Sequence, residues 1–148
     1  MIYLNQGQTN QAAAVCSRNS TLTGGTIYYL WKMVHKLSNT PYYFIPFRLQ
    51  PSVSYTPAYD VFCVGVDDSI PQVLTGATQC SETNVHLIPG QYALSCYQQF
   101  SQSNLDPSQS SGLVYQTLVY VVGTNQNVPV TYTGGTDDIF IIYNPDND

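Results

Sequence analysis

Short runs of apolar, β-branched and aromatic residues recur along this chain, and turn-forming residues separate them. β-branched and aromatic side chains favour strands, whereas Gly, Pro, Asn and Asp supply the backbone conformations of tight turns. The most ambiguous run, residues 27–37, is rich in Ile, Tyr, Trp and Val, which again favours a strand. No run has the apolar spacing of a long amphipathic helix. The chain therefore predicts an all-β protein.

Alternating apolar and polar residues indicate strands with one wet face, because successive side chains of a strand point to opposite faces. Residues 59–66 and 113–122 are instead apolar on both faces, which is typical of buried or central strands. The inner face predicted for residues 91–100 carries Tyr92, Leu94, Cys96 and Phe100. The other predicted strands are residues 2–4 continuing toward 12–16, 27–36, 42–48, 84–88, 128–132 and 138–143.

About eight or nine short strands at hairpin spacing predict an antiparallel β-sandwich or a small barrel. A chain of 148 residues is long enough to bury one core. No break in composition divides it, so we expect a single domain over residues 1–148, with residues 144–148 as a short polar tail.

Charged residues make up 9% of the chain, compared with about 25% in an ordinary globular domain. The surface must therefore consist largely of neutral polar side chains and tyrosine. Four basic residues and a net charge of −5 cannot form the basic surface that nucleic acid or anionic lipid requires, so neither is an expected partner. The chain shows neither a secretory signal nor an apolar run long enough to span a membrane, and we expect a cytosolic protein until assembly.

The four cysteines, Cys16, Cys63, Cys80 and Cys96, have none of the close spacings of zinc or redox motifs. In a reducing compartment we expect four buried thiols. The alternative, one or two disulfides, would require folding outside the cell.

Residue types that carry catalysis are sparse. The strand-turn-helix serine motif is absent, and His35 and His86 each stand alone among strand-like residues. The adjacent acids Asp67-Asp68 and Asp137-Asp138 are more typical of solvated turns than of a calcium site. We expect no enzymatic activity, no metal and no cofactor.

Two features are candidates for binding. The polar loop of residues 101–112 contains the candidate contact residues Asn104, Leu105, Asp106 and Pro107, and long loops in small domains are often contact sites. Aromatic residues around Trp31, Tyr42 and Tyr43 would meet on neighbouring strands. Such aromatics either form an interface or sugar platform, or pack in the core of the sandwich.

The segment QYALSCYQQFSQSNLDPSQSSGLVYQTLVYVVG, at residues 91–123, combines a strand, an Asn-Leu-Asp-Pro loop and a Gly-Leu-Val strand start. With the opening MIYLNQGQTN, the Tyr-Tyr-Leu-Trp-Lys strand and the Ile-Tyr-Asn-Pro ending, it resembles small virion proteins of crAss-like and related tailed phages. The resemblance covers most of the chain and is sharpest at residues 97–123. The chain has Gln98 and Tyr115 where those proteins tend to have Glu.

The resemblance implies an immunoglobulin-like or jelly-roll sandwich that is a non-enzymatic part of a virion assembled in the host cytoplasm. The expected role is a capsid decoration or auxiliary protein that binds the major capsid protein or another virion protein, with a homo-oligomer as a further possibility. The alternative is a module of a head fibre, tail or portal that binds carbohydrate or a host surface. Such a module would use the aromatic cluster and the polar loops.

Overall fold

A computed structural model of the protein describes residues 1–49 and 59–124. The predicted strands 128–132 and 138–143, the acidic pair Asp137-Asp138 and the tail 144–148 lie outside this part of the chain. Within it, eight strands form two sheets, and two 3₁₀ turns, Ser17–Asn19 and Pro107–Gln109, are the sole helical elements. The prediction of an all-β sandwich is confirmed.

The strands pair antiparallel except for β1, which runs parallel to β8. One sheet has the order β1-β8-β7-β3-β4 and the other the order β2-β6-β5. This order corresponds to the C-F-G sheet of an immunoglobulin sandwich, widened by C′ at one edge and by β1 at the other, facing strands B, E and D. It favours the immunoglobulin-like alternative over a jelly roll. The strand bounds are β1 Ile2–Asn5, β2 Gln8–Ala14, β3 Tyr28–His35, β4 Pro41–Phe44, β5 Phe47–Leu49, β6 Asp60–Val66, β7 Gly90–Gln99 and β8 Leu113–Val122.

Aromatic side chains fill the space between the sheets. The Trp31 ring from β3 lies 5.2 Å from the Phe62 ring of the opposite sheet and 5.8 Å from the Phe44 ring of β4. Tyr92 is also fully buried and donates its hydroxyl to the Ile88 carbonyl at 2.7 Å. Burial raises the pKa of this hydroxyl, so Tyr92 stays protonated as a core residue.

The predicted strand at residues 42–48 is wrong in one respect, because the structure has two strands there. β4 belongs to the five-stranded sheet and β5 to the three-stranded sheet, and the chain crosses between them at Ile45 and Pro46. Proline has no N–H to give to a sheet ladder, which interrupts pairing at this point. The Ile45 N–H leaves the sheet and donates to the Leu74 carbonyl at 2.8 Å.

The predicted strand at residues 84–88 is also wrong. This segment forms isolated bridges at Asn84, to Gly65 and to Val73, instead of a continuous ladder. The alternating apolar residues of this segment, Val85 and Leu87, are nevertheless buried in the core. The Asn84 side chain holds the segment by bonding backbone groups of the turn after β6, including the Asp67 N–H at 2.9 Å.

The end of β7 differs from the predicted strand. Tyr92, Leu94 and Cys96 point into the core as predicted. The pairing with β8 is irregular between Cys96 and Tyr97, and beyond it Phe100 is 49% exposed. The prediction of Phe100 on the inner face is therefore wrong, because β7 ends at Gln99 and Phe100 lies beyond the strand, where the alternation of faces no longer applies.

The chain segment before β3 also divides between the sheets. Residues 2–4 and 12–16 were predicted as one continuing strand, but a turn at Gln6 and Gly7 separates β1 from β2. The buried Asn10 side chain joins the two parts, since its amide oxygen accepts from the Asn5 N–H at 2.8 Å and its nitrogen donates to the Val64 carbonyl at 3.1 Å. This one amide thus links β1 of the larger sheet to β6 of the smaller sheet.

The cysteines correct a further expectation. Cys63 of β6 and Cys80 form a disulfide, whereas Cys16 and Cys96 are buried thiols. The expectation of four thiols is wrong for the first pair, whose partners approach because the segment after β6 folds back over that strand. Burial, followed by a hydrogen bond to Cys16, raises the pKa of the Cys96 thiol, which keeps it protonated.

Replacing Cys80 by serine should lower the free energy of unfolding by about 3 kcal/mol relative to the oxidised protein. The reason is that the disulfide closes a loop between residues 17 positions apart and so restricts the unfolded chain. The expected result is a lower urea midpoint for Cys80→Ser under non-reducing conditions. Adding a reductant should lower the wild-type midpoint and leave that of the variant unchanged. Equal midpoints for the oxidised wild type and the variant would contradict the disulfide.

Candidate functional site

The side of the five-stranded sheet that points away from the core is the broadest regular surface of the described residues, and we call it the outer face. Its side chains alternate with the buried ones along β3, β7 and β8. The strand register places many of them in three cross-strand rows. These rows are Tyr43-Lys32-Ser95-Gln116, Pro41-Val34-Ala93-Leu118 and Gln91-Tyr120-Tyr3.

Short-range contacts along the rows make the outer face continuous. Gln116 donates its amide to the Ser95 hydroxyl at 3.2 Å, across the β7–β8 pair. The rings of Tyr3 and Tyr120 meet edge to face with centroids 6.3 Å apart. Opposite cross-strand side chains of this kind stabilise a sheet and also define its surface shape.

The outer face is nearly uncharged. Among the side chains of the three rows, Lys32 carries the one formal charge. Tyr3 is 62% exposed and Leu118 is 38% exposed, although both are large apolar residues. Because adjacent exposed apolar groups on a soluble protein often mark contact with another molecule, this face is the strongest candidate functional surface.

The loop of residues 101–112 has a definite shape set by its own hydrogen bonds. The Asn104 amide donates to the Gln99 side-chain oxygen at 2.8 Å and to the Asp106 carbonyl at 2.9 Å. The Gln99 amide donates to the Asn104 carbonyl at 3.0 Å. The Asp106 carboxylate caps the 3₁₀ turn Pro107–Gln109 by accepting from the Ser108 N–H at 2.9 Å.

Two of the predicted contact residues, Asn104 and Asp106, therefore stabilise the loop itself. The other two, Leu105 and Pro107, are half-buried beside them. A loop that is already shaped loses less conformational entropy when it binds. A docking role for Asn104, Leu105, Asp106 and Pro107 stays a prediction.

The predicted aromatic cluster does not form on the surface. Trp31 is completely buried, and the half-buried Tyr42 ring packs against the core with its centroid 5.8 Å from that of Tyr92. Tyr43 points the other way and belongs to the outer face beside Lys32. Because neighbouring residues of a strand alternate faces, Tyr42 and Tyr43 cannot share one platform. The core interpretation is the right one for Trp31 and Tyr42.

The titratable candidates are engaged locally. His35 is the last residue of β3, and its Nδ1 lies 2.9 Å from the hydroxyl of Ser38 in the following turn. The same nitrogen accepts from the Ser38 N–H at 3.2 Å. The His86 Nε2 lies 2.7 Å from the Ile70 carbonyl. The Ser69 hydroxyl and N–H both donate to Asp67, which lowers the pKa of that carboxyl. Residues 1–49 and 59–124 contain no group of three or more metal-binding side chains.

Sequence reasoning missed a cavity of about 260 Å³ beside the crossing between the sheets, which we call the crossing pocket. The sequence feature that could have indicated this cavity is Pro46, which interrupts the predicted strand 42–48. Three separate segments and two single residues form its wall. These are residues 26–29, 45–48 and 76–78 with Phe62 and Gln102.

An ion pair fixes one wall of the crossing pocket. The Arg48 Nε and Nη2 donate to the Asp60 Oδ1 at 2.9 and 2.8 Å. The Asp60 Oδ2 accepts from the backbone N–H groups of Ser17 at 2.7 Å and Cys16 at 3.2 Å. Asp60 is buried, and the guanidinium lies 5.7 Å from the Tyr29 ring. The arginine is therefore held in place by both its partner and an aromatic face.

Comparison with known protein families, curated proteins and solved structures found no match. In the part of the chain that the structure describes, no helix has the length and apolar character needed to cross a membrane.

Proposed function

We propose that this protein is a non-enzymatic structural component of a tailed-phage virion, a decoration or auxiliary protein that binds the major capsid protein or another virion protein. The observation that carries the proposal is the outer face, with its exposed Tyr3 and Leu118 and its single charge at Lys32. The resemblance of residues 91–123 to small virion proteins of crAss-like phages is the reason for proposing a tailed-phage particle.

A neutral docking surface suits a repeated subunit. Many copies on one shell bind with an avidity that exceeds the affinity of each contact, so a modest apolar interface is sufficient. Scarce charge also limits repulsion between crowded neighbours of the same net sign. The outer face meets both requirements, since its contacts come from apolar and neutral polar side chains.

The alternative of a carbohydrate- or host-binding module loses the support of Trp31, because that ring is buried. Self-association through the outer face is a different outcome that the same surface permits. Particle incorporation and oligomeric state separate these possibilities from capsid binding.

We expect Leu118→Glu to reduce the copy number of this protein in purified particles at least tenfold. A charge buried without a partner in an interface typically costs more than the ~1.4 kcal/mol that corresponds to that factor. The matched control is Ile70→Glu, which changes a similarly exposed apolar residue in the turn region after β6. Quantitative mass spectrometry of the particles measures copy number, and thermal unfolding verifies that both variants fold.

Unchanged incorporation of Leu118→Glu, or an equal loss with Ile70→Glu, would contradict docking through the outer face. A wild-type protein absent from particles would contradict the virion role itself.

A further inference from the structure

We propose that the crossing pocket binds a single neutral sugar ring. This site goes beyond the proposed structural role, and it shares no residue with the three rows of the outer face. The virion role and the sugar site can therefore each fail without the other.

The size of the crossing pocket limits its ligand to a small molecule. A volume of about 260 Å³ lies just below the range of drug-sized ligand pockets, which begins at roughly 300 Å³. One hexose-sized ring fits this volume, whereas a chain of several sugars would extend out of it.

Rings and polar groups meet on the wall of the crossing pocket. Tyr28 and Phe47 are half-buried and contribute aromatic surface, whereas Tyr29, Phe62, Ile45 and Pro46 are buried and form the apolar backing of the wall. Aromatic faces bind the C–H faces of sugar rings because those faces are apolar and slightly positive, which complements the ring quadrupole. The wall thus contains the surface that an apolar sugar face requires.

Hydroxyl groups of a sugar also need hydrogen-bonding partners. Thr26 and Gln102 line the crossing pocket and offer a hydroxyl and an amide, each of which donates and accepts. The Thr78 hydroxyl also lines it but donates to the Glu82 carboxylate at 3.1 Å, so it is left to accept. Arg48 adds N–H donors, because its bonds to Asp60 occupy Nε and Nη2 but leave Nη1. A few oriented polar groups within an aromatic wall are typical of specific small-molecule sites.

The charge balance favours a neutral ligand over an anion. Arg48 is the one formally charged residue among those that form the described wall, and its charge is already matched by the Asp60 carboxylate. A second carboxylate would compete with Asp60, which is fixed by two backbone N–H groups. Hydroxyl oxygens can accept from the remaining N–H groups without disturbing this ion pair.

The test is an NMR titration of the isotopically labelled full chain with glucose, galactose, mannose and N-acetylglucosamine, and with sodium acetate as the anionic probe. For a ligand of this size we expect a Kd on the order of 1 mM for at least one sugar. Amide shifts should concentrate at residues 26–29, 45–48 and 76–78.

A filling variant and a matched control locate the site. Ala77→Trp places a large ring on the wall of the crossing pocket and should lower the affinity for the sugar at least tenfold. Ala13→Trp makes the same change at an exposed position on β2 and should leave the affinity unchanged. Both variants are first compared with wild type by thermal unfolding.

Three results would overturn the proposal. The first is the absence of shifts with all four sugars at 50-fold the expected ~1 mM Kd. The second is sugar affinity unchanged by Ala77→Trp in a folded protein. The third is binding of acetate without binding of any neutral sugar, which would assign the crossing pocket to carboxylates.

Discussion

Replacing Trp31 by alanine is expected to lower the free energy of unfolding by about 3–5 kcal/mol, the range for removal of a large buried aromatic side chain. Trp31 is completely buried and its ring contacts Phe44 and Phe62, one from each sheet. Removal of the indole would leave a cavity between the two packed sheets. A surface platform residue would instead change stability by about 0.5 kcal/mol or less.

Urea unfolding followed by tyrosine fluorescence and circular dichroism measures this effect in both variants. The matched control is Tyr43→Ala, which removes an aromatic ring from the outer face of the adjacent strand. We expect the Tyr43 variant to retain nearly all of the wild-type stability. Similar midpoints for Trp31→Ala and wild type would show that the indole lies outside the core.

The second large effect is expected at Asp60. Asp60→Ala should destabilise the protein by about 3 kcal/mol, the lower end of the range for breaking a buried ion pair, because Arg48 retains some access to water. The variant also leaves the N–H groups of Cys16 and Ser17 without their acceptor. One carboxylate therefore joins the end of β2, the start of β6 and the short strand β5.

The arginine supplies an internal control for Asp60. In Asp60→Ala, a second change of Arg48→Leu removes the cation that has lost its partner, and the double variant should recover part of the lost stability. Asp68→Ala removes an exposed carboxylate and should have little effect. Chemical denaturation of wild type, Asp60→Ala, Arg48→Leu and the double variant completes the cycle, and additive losses from the two changes would contradict coupling between Asp60 and Arg48.

The local pattern of residues predicted strand positions well because side-chain alternation reflects burial directly. Residues 59–66 and 113–122 coincide closely with β6 and β8, and Tyr92, Leu94 and Cys96 face the core as expected. What the pattern could not predict depends on partners distant in sequence. The change of sheet at Ile45 and Pro46 is one case, since the same apolar residues would suit either sheet.

The candidate surfaces show the same limit. Strand β8 is apolar on both faces, so its sequence could not tell that Leu118 lies exposed while Val119 is buried. That difference arises because one side of the sheet packs against β2, β5 and β6 and the other does not. The crossing pocket was equally hidden, because residues 26–29, 45–48 and 76–78 meet only after both sheets have formed.

The parallel pairing of β1 with β8 has a consequence for how the chain is made. Ile2 pairs with Val119, so β1 is synthesised long before the strand that pairs with it. Pairing between such distant segments is slow, because a long loop must close before any contact compensates its entropy. Until then the backbone N–H and C=O groups of β1 have no strand partner, and they can pair with another extended chain during this interval.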